Sequence, residues 1–226
     1  MYYQDRNLDR LGELLPSLPE QLALTLMLVA VAMVIGGGLG LVLGTTLYAT
    51  RPGNVLEHRV IYNILNVIVN IFRPIPFIIL LAALQPFARA IIGVGIGDPM
   101  AMFAMSTAAT FGISRLVEQN LVTVPPGVVE AARAAGAGRL RTLLTVVIPE
   151  GLGPLILGYT YAFIAVIDMS AMAGAVGGSG LGNFALQYGY RQFNPYVTWA
   201  AVIVIIIVVQ LVQLLGNWLA RRVMRR

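Results

Sequence analysis

Pro125-Pro126-Gly127-Val128-Val129-Glu130-Ala131-Ala132-Arg133-Ala134-Ala135-Gly136-Ala137-Gly138-Arg139-Leu140-Arg141-Thr142-Leu143-Leu144-Thr145-Val146-Val147-Ile148-Pro149 is a stretch of small and polar residues set between long apolar runs. Proline suits the first turn of a helix, where its missing N–H costs nothing. Val128 to Ala135 therefore reads as a short helix. Gly136 and Gly138 break it, and Leu140 to Ile148 suits a second helix stopped near Pro149. Its surface is nearly all Ala and Gly, so the backbone of another protein can approach closely. An amphipathic helix pair lying on a membrane is the competing reading, but it needs a large apolar face. Ala and Gly do not supply one.

The composition around this stretch is that of a membrane protein. Of 226 residues, 58% are hydrophobic and 11% charged, against roughly 25% charged in a soluble domain. Mean hydropathy is +0.81. These values exclude a disordered chain and argue against a soluble enzyme. Cysteine is absent, so no disulfide or thiolate site is possible, and a single histidine, His58, excludes a paired-histidine zinc motif. All 15 basic residues are Arg. A P-loop places a Lys on the nucleotide phosphates, so work driven by ATP requires the nucleotide to be held by another chain. The net charge of +5 does not point to nucleic acid. Arg221, Arg222, Arg225 and Arg226 follow a long apolar run, the pattern of cytoplasmic anchoring.

A spanning helix needs about 20 mostly apolar residues. Five candidates follow: Leu22 to about Tyr48, Val60 to about Leu84, Met100 to Leu121, Leu152 to Ala171, and Tyr196 to Trp218. The first carries Gly36, Gly40 and Gly44 at the spacing of close helix packing. The second carries Asn63, Asn66, Asn70 and Arg73, all on one helical face. A lipid-facing Arg near mid-membrane costs at least ~2.5–3.5 kcal/mol. The stripe is thus expected to face other helices, as polar glue, or to line a water-filled path. Pro74 and Pro76 predict a bend or break just after it. The third span is weak, rich in Ala, Ser and Thr, and is expected to be interior or to end around Arg115. The fourth contains Asp168, either an intramembrane acid with a role or a solvated helix end.

With five spans the termini lie on opposite faces. The Arg count places the C-terminus, the Arg51–Arg59 turn and the segment 124–150 inside, and the N-terminus outside. The expected organisation is an extracytoplasmic segment 1–20, a membrane domain 21–218 and a basic tail 219–226.

Glu130-Ala131-Ala132, three residues, Gly136, nine residues, then Val146-x-Ile148-Pro149 resembles the EAA loop of ABC-importer permeases. Further stretches are similar to the permease subunit of methionine-type importers. They are Thr50-Arg51-Pro52-Gly53, Asn70-Ile71-Phe72-Arg73-Pro74-Ile75-Pro76-Phe77, Ser170-Ala171-Met172-Ala173-Gly174-Ala175-Val176-Gly177, Gly180-Leu181-Gly182 and Gln187-Tyr188-Gly189-Tyr190. The likeness runs from about Leu22 onward. It implies an all-α transmembrane fold, the five-helix type I ABC importer permease, in the inner membrane. It further implies a homodimer with two ATP-binding cassette subunits and an extracytoplasmic substrate-binding protein. ATP and Mg would sit in the ATPase partner, with no cofactor in this chain.

On that resemblance, Glu130 is a polar anchor for the ATPase, Ala131 and Ala132 allow close approach, Gly136 supplies the turn, and Pro149 closes the segment. Ser170 to Gly182 would line the outer end of a pathway at the dimer axis, with Met172 as a flexible apolar plug or as ordinary core. Asp168 departs from the family pattern, which leads one to expect a small or neutral residue there; read from its own chemistry it would pair with an Arg or touch a substrate amine, unless a solvated helix end leaves it without a role. Gly174 to Gly182, without a following Lys, reads as a turn or re-entrant loop rather than a nucleotide loop. Rival functions are a permease for another amino acid or small solute, a secondary transporter with charged midplane sites, an intramembrane enzyme, and a structural scaffold.

Overall fold

A computed structural model describes residues 2–224, with side chains from Asn7 onward. Arg225 and Arg226 of the basic cluster lie outside the described residues. Every regular element among the described residues is helical. They are α1 (Tyr2–Leu14), α2 (Leu18–Ala32), α3 (Gly38–Thr50), α4 (Arg59–Phe72), α5 (Phe77–Ile92), α6 (Gly97–Val122), α7 (Pro126–Ala134), α8 (Arg139–Thr142), α9 (Ile148–Glu150), α10 (Leu152–Met172), α11 (Leu181–Phe184) and α12 (Pro195–Met224).

Four helical stretches among the described residues are long and apolar enough to cross a membrane, and α4 with α5 makes a fifth if that broken pair is one span. The break falls over Arg73–Pro76, where the prolines withhold the N–H groups a continuing helix needs. The first stretch is longer than its apolar run. It is helical over Asn7–Thr50, because the polar leader is itself amphipathic. Leu11 and Leu14 pack against the core formed by Leu18, Leu181, Phe184, Val197 and Ala201. The third stretch does not stop at Arg115 but continues to Val122, for a reason that lies in the partners of Arg115.

The chain forms two compact units. One comprises the stretch through Met33, Pro76–Ser106 and Phe163–Val212, and the other Val34–Ile75, Thr107–Ala162 and the stretch from Gln213. In the first, a second core forms from Leu81, Ala88, Met100 and Ala104, with Val176 packed on it.

In the second unit, α3 lies against α6 through its glycines. A Cβ at Gly40 would meet the Cβ of Ile113 at 2.8 Å, and one at Gly44 would meet the carbonyl oxygen of Ser114 at 2.3 Å. The small-residue spacing therefore serves packing. Gly44→Ala is expected to destabilise the protein by about 1–3 kcal/mol, because backbone cannot step aside as a side-chain tip can. Gly38, on the same helix, has open space around its Cβ position. Gly38→Ala should be neutral or stabilising by up to ~1 kcal/mol. Melting both variants in detergent checks the contrast.

Candidate functional site

The segment after α6 folds as its residues dictate. Pro125 precedes α7 in an extended conformation, and a second proline occupies its first turn. The helix ends in a Schellman motif: Ala137 N donates to Ala132 O and Gly136 N to Arg133 O, each at 3.0 Å. Gly136 sits at φ +84°, in the left-handed region that favours glycine. Glu130, Ala131 and Gly136 are exposed and Ala132 is half-buried. Nothing lies within 4 Å of a Cβ built at Gly127, Gly136 or Gly138. The face is thus open and nearly without side chains.

After α8 the chain makes a π turn over Leu143–Val147, and α9 carries Pro149 before ending at Glu150. The wider turn fits a residue that cannot donate from its backbone nitrogen.

A cleft of about 310 Å³ opens beside α7. Its walls are the turn Arg51–Val55 and, from α7, Pro126, Val129, Glu130 and Arg133. Local bonds hold the turn. Gly53 N donates to a Glu57 carboxylate oxygen at 3.1 Å, and the Asn54 amide donates to Tyr48 O at 2.5 Å. His58 Nδ1 caps α4 by accepting from Ile61 N at 3.3 Å, so the lone histidine is structural. Arg51, Arg133 and Glu130 make no ion pair among the described residues. The cleft therefore offers both signs of charge beside an Ala/Gly surface.

The polar stripe of α4 divides. Asn66 and Asn70 meet Arg115 of α6. An Arg115 Nη donates to Asn66 Oδ1 at 2.8 Å and also bonds Asn70, whose own amide donates to Asn66 at 3.3 Å. Arg115 pairs with Glu118 at 2.5 Å, and the Glu118 side chain is only 4% exposed. Phe72 and Phe111 stack beside this group with centroids 4.6 Å apart. Charge balance and amide partners are what let α6 run on past Arg115. Asn63 and Arg73 stand outside the cluster and are exposed. The i,i+3 spacing of Arg115 and Glu118 was the signal for this pair, but spacing alone does not reveal the two asparagines as partners.

At the end of α10, Ser170 is buried and donates to Ile167 O at 2.6 Å, which turns its hydroxyl inward. Met172 is 39% exposed. Asp168 is exposed and makes no hydrogen bond or ion pair among the described residues. Three further side chains that sequence reasoning did not single out reach the glycine-rich segment: Asp98 bonds Ser179 N, Gln21 bonds Gly180 N, and Thr25 bonds Leu181 N.

Residues 36–226 match the family described as the inner membrane component of binding-protein-dependent transport systems. A probable D-methionine transport system permease protein of Pasteurella multocida is 42% identical over 81% of this chain and 85% of its own. The methionine import system permease protein of Bacillus subtilis is 36% identical over 80% and 81%. Among solved structures, an inward-facing methionine ABC transporter matches with a TM-score of 0.82 at 38% identity, covering 93% of this chain and 95% of that one. An amino acid ABC transporter shares the fold at a TM-score of 0.76 and 21% identity. The fold is that of a type I ABC importer permease, and the chain belongs to the family of inner-membrane components of binding-protein-dependent transport systems.

Proposed function

We propose that this chain is the permease subunit of an ATP-driven importer that carries methionine across the inner membrane. A second copy of the chain completes the pathway, because a closed two-fold assembly brings identical faces together at its axis. Two ATPase subunits hold ATP and Mg, and an extracytoplasmic binding protein delivers the substrate. What carries the reading is the open Ala/Gly face of α7, ended by Gly136 and standing over a cleft rimmed by Arg51, Glu130 and Arg133. Such a surface suits docking in a groove of another protein. A change in the ATPase then moves the helix, provided the two permease states bind the ATPase with different affinity.

Placing the C-terminus inside agrees with two contacts. The Arg51 turn and α7 line one cleft. A Cβ at Gly153, just after the coupling segment, would touch Met224 Cγ at 2.4 Å, beside Arg221 and Arg222. With five spans, the N-terminus is outside. The substrate follows from the relatives named for methionine. In this reading Ser170, Met172 and Asp168 stand at the outer end of the pathway and Asn63 and Arg73 along it, while Asn66 and Asn70 hold Arg115 of α6 beside it.

The expected result is that mild extraction of the tagged chain brings an ATPase subunit with it. Proteoliposomes holding that complex, the binding protein and internal ATP then accumulate labelled methionine, which unlabelled L- or D-methionine displaces. Absence of an ATPase overturns the importer reading. Accumulation of a different amino acid, untouched by methionine, overturns the substrate.

A further inference from the structure

The glycine-rich stretch after α10 makes one 3-10 turn over Ala173–Val176 and then leaves helical geometry. Gly177 and Gly180 take positive φ, and Gly180, at φ +99° and ψ −179°, lies in a region essentially open only to glycine. The amides of Ser179, Gly180 and Leu181 are consequently turned away from helical carbonyls. Gly180 and Leu181 are buried and Ser179 half-buried, so each such amide needs a partner from within the protein. Three side chains from distant parts of the chain supply them. Asp98 Oδ1 accepts from Ser179 N at 2.6 Å, Gln21 Oε1 from Gly180 N at 3.2 Å, and Thr25 Oγ1 from Leu181 N at 2.8 Å. Gln21 and Thr25 stand one turn apart on α2, and the Thr25 hydroxyl is itself fixed by donating to Gln21 O at 3.0 Å. Asp98 lies in the first turn of α6.

This ladder sits directly against the end of α10. A Cβ at Gly182 would come within 2.1 Å of Ala171 Cα, and one at Gly178 within 2.8 Å of Ala173 O. A Cβ at Gly174 would reach Asn183 Oδ1 at 2.8 Å. Residues 171–174 and 178–183 are therefore interlocked backbone to backbone, with Met172 in the middle. The same stretch is anchored at both sides. Val176 packs on the core around Leu81 and Met100, and Leu181 on the core around Leu18 and Val197.

We propose that Gln21, Thr25 and Asp98 are positioning residues that strap residues 177–182 to α2 and to the start of α6, so that Met172 at the end of α10 shifts only when those helices shift. The inference rests on the reading of Ser170 to Gly182 as the outer gate. Interlocked backbones without slack pass on displacement, whereas a loop freed of its three bonds lets Met172 drift while α2 and α6 stay in place. The strap therefore ties gate opening to the transport cycle. Losing it wastes ATP rather than merely lowering the amount of protein.

The test measures methionine molecules moved per ATP hydrolysed, in proteoliposomes of the complete transporter with its binding protein. Asp98→Ala removes a charge-assisted bond and is expected to lower that ratio roughly tenfold, and Thr25→Val about threefold, as the loss of one such bond shifts a two-state population. Asp98→Asn keeps the acceptor oxygen and should stay within about twofold of the parent. Met172→Ala, measured alongside, should raise hydrolysis and leak in the absence of substrate. A plain loss of folding would lower uptake and hydrolysis together and leave the ratio unchanged. An unchanged ratio in Asp98→Ala and Thr25→Val, with Met172→Ala leaking, overturns the strap and leaves the gate standing. An unchanged ratio in all three, without leak, overturns both.

Discussion

Glu118→Ala is expected to destabilise the protein by about 3–5 kcal/mol, the cost of leaving a buried charge without its partner. The carboxylate it removes is 2.5 Å from Arg115, and both side chains are largely buried, at 4% and 14% exposure. Asn66 and Asn70 remain as partners for the guanidinium, but neither carries charge. Arg115→Leu should be as damaging, because it strands the carboxylate of Glu118 and frees both amides. Replacing Arg115 and Glu118 together by Leu should cost less than the sum of the single changes, since burying neither charge is often no worse than burying a pair. Melting curves of the detergent-solubilised protein decide this. Additive losses across the cycle would show that the pair does not act as a unit.

Gly136→Val should abolish most uptake while the chain still inserts. Open space surrounds Gly136, so the added side chain meets no neighbour. The penalty comes from the backbone, at φ +84°. A β-branched residue there costs on the order of 1–3 kcal/mol, enough to lower the population of the Schellman turn about tenfold or more. The turn sets where α7 ends, so its loss mispositions the surface proposed above to dock the ATPase. ATP hydrolysis should continue with little transport. Gly138→Ala is the matched control. Gly138 also has open space, but at φ −65° any residue is comfortable. Gly136→Asn should retain part of the activity, because Asn tolerates the left-handed region. Normal uptake by Gly136→Val would show that the turn transmits nothing.

Local pattern made much of this architecture legible. The apolar runs fall where the long helices lie, the prolines at positions 74 and 76 mark the break between α4 and α5, and Gly136 ends α7 for a reason visible in its own residue type. What was hidden depends on partners distant in sequence. The sequence leaves open whether the third span is interior or ends around Arg115, and it is Asn66 and Asn70, 49 and 45 residues away, that take up the Arg115 donors and let the helix continue. The leader before Leu22 looked like a polar segment, yet its leucines belong to a core completed by Leu181 and Val197. The bonds of Asp98, Gln21 and Thr25 span 81, 159 and 156 residues, beyond the reach of any periodicity. The stripe on α4 was readable as a face, but only the contacts divide it into a half that bonds Arg115 and a half that does not.

The broken pair α4 and α5 also constrains how the protein is made. The two helices have 14 and 16 residues. At about 1.5 Å per residue each rises roughly 21–24 Å, short of the ~30 Å hydrocarbon layer. The insertion machinery thus cannot release either as a finished span. Asn66 and Asn70 meanwhile emerge from the ribosome some 45–49 residues before Arg115, their eventual partner. Asn66 and Asn70 therefore lack the partner that takes up their amide oxygens until α6 has been synthesised. Biogenesis of this permease is accordingly expected to proceed as a block through residue 122, not helix by helix.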